Sequence, residues 1–297
     1  MSANVSTTLA ALSASDLSEL KSAYFQPLRF QPLHLLLKSV RAMVVYGKYR
    51  RPVPCDQPVL FLLSAERTGS QFVCSMLEST RLVGVSGEVL NIDNLEGPAR
   101  YACVGDPLKR HLNHVVKALR AMPCVKIVLY QMEGFSLTPT ILKSWFPCAK
   151  FLVLYRRNLA QQYLSVRFAV LTDQWDCYKQ NVSARGKLRI DRSHLMNYID
   201  LTIEEYRRLL TDTSLNATSC TVTDYETMAS CPQRVFDGQV FPFIGLPRCP
   251  VLPGTVKVLP WSPSELVSNY DEVCDIFSGP LGQMPLEITQ WGKSGAV

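Results

Sequence analysis

Two clusters of residues have the types and spacing to grip anions. The first is Ser64-Ala65-Glu66-Arg67-Thr68-Gly69-Ser70-Gln71. It follows the apolar run VLFLLS and precedes Phe72, Val73, Met76 and Leu77, which repeat at helical spacing. A helix N-terminus presents backbone N–H groups without intrahelical partners and carries partial positive charge, so it suits a phosphate. Gly69 lets the backbone approach such a ligand. Thr68 and Ser70 add hydroxyl donors, and Arg67 adds a planar cation able to clamp an oxyanion with two bonds. The GxxxxGK[ST] pattern is absent, so no Lys-Ser/Thr pair is present to hold a magnesium nucleoside triphosphate. A tight strand-to-helix turn with a hydroxyl cap and no ligand fits the same residues.

The second cluster is KFLVLYRRNLAQQYLSVRFA. It puts Arg157 at the end of an apolar run and Ser165 eight residues on, about two helical turns at ~1.5 Å per residue. Asn158 is a good cap for the helix between them. The carboxyl end of a strand is where open α/β sheets bind ligands. An arginine and a serine there could hold a second phosphate; a solvated Arg-Arg pair and a helix-surface serine is the alternative.

These residues need strands that end together and helices that begin there. VLFLLS at 59–64, Lys126–Tyr130 and Phe151–Tyr155 are strand-length apolar runs, as expected of strands buried on both faces. Cys220–Thr223 adds another strand. Helical patterns cover Pro107–Met122, Pro139–Phe146, Leu159–Leu171 and His194–Leu210. Strands alternating with helices predict a three-layer α/β/α fold around a mostly parallel central sheet. Residues 1–54 read as an N-terminal extension and 55–297 as one domain. Within the extension, residues 33–51 carry Lys38, Arg41, Lys48, Arg50 and Arg51 and no acid. The segment reads first as a helix packed on the core with a solvated basic edge. Its other reading is a weak contact with an anionic membrane surface.

Composition narrows the classes. Among 297 residues, 47% are hydrophobic and 19% charged, so bulk disorder is excluded. The net charge of +6 favours anionic ligands but is too mild for a dedicated nucleic-acid binder. The ten cysteines never come closer than Cys220 and Cys231, which leaves no CxxC pair for zinc or redox chemistry. That usage suggests a reducing compartment, and the N-terminus shows no basic-apolar leader, so a cytoplasmic protein is expected.

Together the two clusters resemble the sulfotransferases that use PAPS (3′-phosphoadenosine 5′-phosphosulfate). LSAERTGSQF is similar to their 5′-phosphosulfate loop, and YRRNLAQQYLS to their 3′-phosphate motif with its eight-residue Arg–Ser spacing. The closer resemblance is to the bacterial branch that includes nodulation-factor and trehalose sulfotransferases. Its SGExLN-like stretch is matched by Ser86-Gly87-Glu88-Val89-Leu90-Asn91, and its strand lysine by Val125-Lys126-Ile127. Asp224-Tyr225-Glu226, Phe243-Ile244-Gly245-Leu246 and Asn269-Tyr270-Asp271-Glu272 follow in order. The resemblance runs from about Val59 to Phe277. Gln71 departs from the usual small hydroxyl, His or Asn at its position, and 171–193 matches no motif.

The resemblance implies a P-loop-like sulfotransferase fold, PAPS as co-substrate and no metal. It implies sulfuryl transfer to a hydroxyl or nitrogen of a small-molecule or carbohydrate acceptor, for instance in natural-product tailoring. Arg67, Thr68, Gly69, Ser70 and Gln71 would hold the 5′-phosphate, and Arg157 and Ser165 the 3′-phosphate, with Lys257 reaching it from a late loop. Glu88 would be the base, Arg67 would offset the leaving charge, and Lys126 would orient the acceptor or the sulfuryl group. His111 and His114, at i and i+3 on one helix face, are rival bases. Two alternatives remain: a non-catalytic anion- or membrane-surface-binding protein on this fold, and a P-loop kinase.

Overall fold

The computed structural model describes residues 57–91, 106–119, 121–172, 187–255 and 262–291. The extension at 1–54, including 33–51, lies outside the described residues, as do Lys257 and most of 171–193. The strands are β1 (Val59–Ser64), β2 (Val83–Ser86), β3 (Met122–Val128), β4 (Ala149–Tyr155) and β5 (Cys220–Asp224). They form one parallel sheet in the order β2-β3-β1-β4-β5.

Every residue of β1 is buried, as its unbroken apolar run requires. Strand side chains alternate between faces, and the two faces of this sheet cover separate cores. Val59, Phe61 and Leu63 pack in one core, Leu60 and Leu62 in the other. β4 does the same with Phe151 and Val153 against Leu152 and Leu154. The result is the expected α/β/α architecture.

The first core is covered by α2 (Asp106–Ala118), α3 (Leu129–Gly134), α4 (Pro139–Trp145), α5 (Leu159–Thr172), α6 (Arg192–Leu210) and, near the C-terminus, Tyr270–Ser278. The second is covered by α1 (Ser70–Ser79), α7 (Tyr225–Ser230) and the helical turns at Pro232–Ile244. β1 therefore leads to one face and β4 to the other. Adjacent strands whose connections diverge leave a crevice at their carboxyl ends.

Local sequence explains the helix limits. Thr138 caps α4 by accepting the Ile141 N–H, Pro139 stands in the first turn, and Pro147 follows its end. Asn158 Oδ1 accepts the Gln161 N–H at 2.8 Å, the expected cap of α5. Asp191 caps α6 by accepting from His194.

Two expectations need correction. The run read as a strand at 126–130 is shifted: β3 begins at Met122 and stops at Val128, where the Val128 N–H donates to the Gln131 side chain and a helix begins. The helix read over 107–122 stops at Ala118 to make room for that strand. β2, only four residues long with Gly84 inside it, was not anticipated.

Candidate anion cradle and acceptor site

The turn after β1 has an alternating backbone. Arg67 has φ 55° and Gly69 φ 97°, with Thr68 between them outside that left-handed region. Residues of alternating handedness gather successive N–H groups into an anion-binding concavity. Arginine adopts this φ at a cost, and such strain gathers at functional sites. At Gly69 a side chain is excluded twice: by its φ, and because a Cβ would stand 2.2 Å from the Tyr225 ring.

The carbonyls of this turn are each bound from behind. Ala65 C=O accepts from the Thr68 hydroxyl at 2.7 Å, Glu66 C=O from Gln162 Nε2 at 2.8 Å, and Arg67 C=O from Arg156 Nη1 at 3.3 Å. These bonds satisfy three of the turn's carbonyls within the protein. α1 then begins at Ser70, which is buried, with no side-chain cap from Gly69.

The two clusters singled out in the sequence meet here. Arg67 Nε donates to Ser165 Oγ at 3.1 Å, across 98 residues of sequence. Ser165 is buried on the second turn of α5. Folding thus brings together Arg67, Thr68, Gly69, Ser70 and Ser165.

The paired arginines at the end of β4 diverge. Arg156 is only 7% exposed; it stacks over Tyr225, 4.9 Å from the ring centroid, and binds the Arg67 carbonyl. The Arg157 side chain is 53% exposed and its Nε lies 3.0 Å from Asp224 Oδ1. Its backbone N–H donates to Glu226 at 2.9 Å, and Asn158 N–H donates to the same carboxylate at 3.4 Å. So Asp224 and Glu226 brace the start of α5, and Asp224 pairs with the half-exposed Arg157 side chain. Arg156, Gln162 and Tyr225 brace the turn itself. They were not singled out for this from sequence: nothing in a run of two arginines says which one turns inward.

Two further candidates pair on the α1 side of the sheet. Lys126 Nζ lies 2.9 Å from Glu88 Oε1. Lys126 is almost buried and Glu88 is one-third exposed on its side chain. Both stand within electrostatic reach of Cys74 on α1, whose thiol is pushed up to about 12 mainly by burial. Ser86 Oγ donates to Cys124 C=O, joining the end of β2 to β3 just before Glu88. The buried His111 ring has Nε2 3.0 Å from Val89 C=O, which fastens the residue after Glu88. His114 is half-buried on the same helix.

Among the described residues, no group of three His, Cys, Asp or Glu could hold a metal ion, and no helix is long and apolar enough to cross a membrane.

Fold and site together define an α/β protein with a left-handed Arg67 and Gly69 in the turn at the divergence point of a parallel sheet. No protein-family model matches the sequence, and no curated protein matches it. Among solved structures, the chain is similar to a sulfotransferase from Alicyclobacillus acidocaldarius, with 15% identity and a TM-score of 0.48 over 75% of this chain and 92% of that one. It is similar to the sulfotransferase domain of the curacin biosynthetic pathway, with 15% identity and a TM-score of 0.39 over 81% and 98%. It is also similar to mouse sulfotransferase SULT7A1, solved in complex with PAP, with 12% identity and a TM-score of 0.40 over 72% and 67%.

Proposed function

We propose that this chain is a sulfotransferase that moves a sulfuryl group from PAPS to a hydroxyl or nitrogen of a small-molecule or carbohydrate acceptor. The observation that carries the proposal is the Arg67–Ser165 contact of 3.1 Å. It unites two sequence motifs, each read as one half of a bisphosphate site, at the divergence point of the sheet. The alternating φ signs at Arg67 and Gly69 support a phosphate at the turn. The stretch Ser86-Gly87-Glu88 supports the nodulation-factor and trehalose branch in particular.

PAPS, when bound, supplies the sulfuryl group and takes the leaving charge as adenosine 3′,5′-bisphosphate. Arg67, the amides of Thr68–Gln71 and the Ser70 hydroxyl would hold its 5′-phosphate. Arg67 would also offset charge at the leaving oxygen. Ser165 and Arg157 would hold the 3′-phosphate and set the register. Fixed donors already in place cost no reorganisation during reaction, and such electrostatic stabilisation is the main lever in transfers of this kind. On the α1 side, Glu88 would take the acceptor's proton on its carboxylate. Lys126, now 2.9 Å from that carboxylate, orients it and presents a cation toward the transferred group. Positioning acceptor and donor against each other supplies the rest of the acceleration.

The test is calorimetric titration with adenosine 3′,5′-bisphosphate without metal, beside ATP with magnesium. Micromolar binding of the bisphosphate and none of ATP is the expected result. Binding of ATP alone would turn the reading toward a kinase, and binding of neither toward a non-catalytic surface protein. An acceptor screen with labelled PAPS then separates hydroxyl from nitrogen acceptors.

A further inference from the structure

We infer that Tyr206 is a positioning residue that sets the separation of the two halves of the anion site; the inference rests on reading that site as a bisphosphate cradle. Tyr206 lies on α6 and is completely buried. Its hydroxyl accepts the Ala65 N–H at 2.9 Å and donates to the Leu154 carbonyl at 2.7 Å. Ala65 is the first residue beyond β1, and Leu154 is the penultimate residue of β4, in register with Ser64. One oxygen, brought in from a helix, therefore joins the ends of the two strands where the sheet's own ladder gives out. Two residues beyond Ala65 comes Arg67. Two residues beyond Leu154 comes Arg156, followed by Arg157 and the helix that carries Ser165.

A ligand with two phosphates gains from both halves only when their separation matches its own. The second contact is then intramolecular and enjoys a high effective concentration. Loosening the strut lowers that concentration without removing any group that touches a phosphate. The signature is thus a loss of preference for the bisphosphate, with little change for either monophosphate.

The experiment is calorimetry of wild type, Tyr206→Phe and Tyr198→Phe with adenosine 3′,5′-bisphosphate, adenosine 3′-monophosphate and adenosine 5′-monophosphate. In Tyr206→Phe, bisphosphate affinity should fall about tenfold while each monophosphate changes less than about twofold. Tyr198 is the comparison: it is buried on the same helix, its hydroxyl interacts with Gln162 and Thr202, and it bonds neither strand end. Its replacement should leave the preference for the bisphosphate unchanged. Equal losses for all three ligands in Tyr206→Phe, or an unchanged preference, would overturn the inference. A wild type that does not prefer the bisphosphate would instead overturn the reading of the site. Should Tyr206→Phe fail to fold, amide exchange of the wild type decides. The Ala65 N–H must already be protected in the free protein, and rapid exchange there would overturn the strut.

Discussion

An acceptor can lose its proton only to a group held within its reach, and the Glu88 segment is held from two directions. Lys126 pairs with its carboxylate at 2.9 Å, and His111 meets the carbonyl of the next residue at 3.0 Å. Glu88→Gln keeps the shape and removes the carboxylate proposed as the base. It should leave bisphosphate affinity within about twofold while lowering turnover by on the order of 10²-fold or more. Unchanged turnover would hand the role to a histidine. Arg157→Ala should weaken PAPS by about 1.5–3 kcal/mol, the range of a charged hydrogen bond, and adenosine 5′-phosphosulfate far less. Equal losses for the two ligands would count against a 3′-phosphate contact. Gly69→Ala meets both a φ of 97° and the Tyr225 ring. It should cost about 1–3 kcal/mol in denaturant unfolding and remove bisphosphate binding. At this scale the candidate residues were legible in the sequence. Their partners were not: the adjacent Arg156 and Arg157 look alike on paper, yet one is a buried brace of the turn and the other a half-exposed partner of Asp224.

The elements that carry the site stand on local signals, most of them readable. β1 and β4 were recognisable because strands buried on both faces must be apolar throughout. β2 escaped because four residues carry too little pattern, and the shift of β3 followed from a side-chain cap at Gln131 that no periodicity reveals. α6, which brings Tyr206 under the turn, depends on its N-terminal cap. The Asp191 carboxyl is held below its ordinary value, first by the Ser193 hydroxyl and then by the His194 amide. Asp191→Ala should cost about 1 kcal/mol at neutral pH, as loss of such a cap generally does. The sign follows from the lowered value. The contribution is present above the unfolded-chain pKa, about 3.9 for aspartate, and disappears as pH falls through the folded one. The Tm difference between wild type and variant should therefore stay constant from about pH 7 to 5 and close below about pH 4. A gap that persisted at low pH would mean the carboxylate is not what caps the helix.

For the whole molecule, the parallel sheet covered on both faces makes a chemical prediction. Burial raises the Cys220 thiol, like that of Cys74, to about 12, and pushes Cys124 well above its ordinary value. Cys148 and Cys231 are exposed. A thiol reagent at pH 8, followed by peptide mapping, should label the latter two in the native protein and reach Cys74, Cys124 and Cys220 only on unfolding. Native labelling of Cys124 would contradict the two-sided core. The sequence by itself determined what depends on neighbours along the chain: that β1, β4 and β5 are strands, that Asn158 caps α5, and where a helix N-terminus meets glycine, hydroxyls and arginine. Only the tertiary structure decided that Arg67 meets Ser165, that Glu88 meets Lys126, and that Tyr206 joins the ends of β1 and β4. Such pairings follow from strand order and register over long separations, and a one-residue slip would turn every side chain to the other face of the sheet.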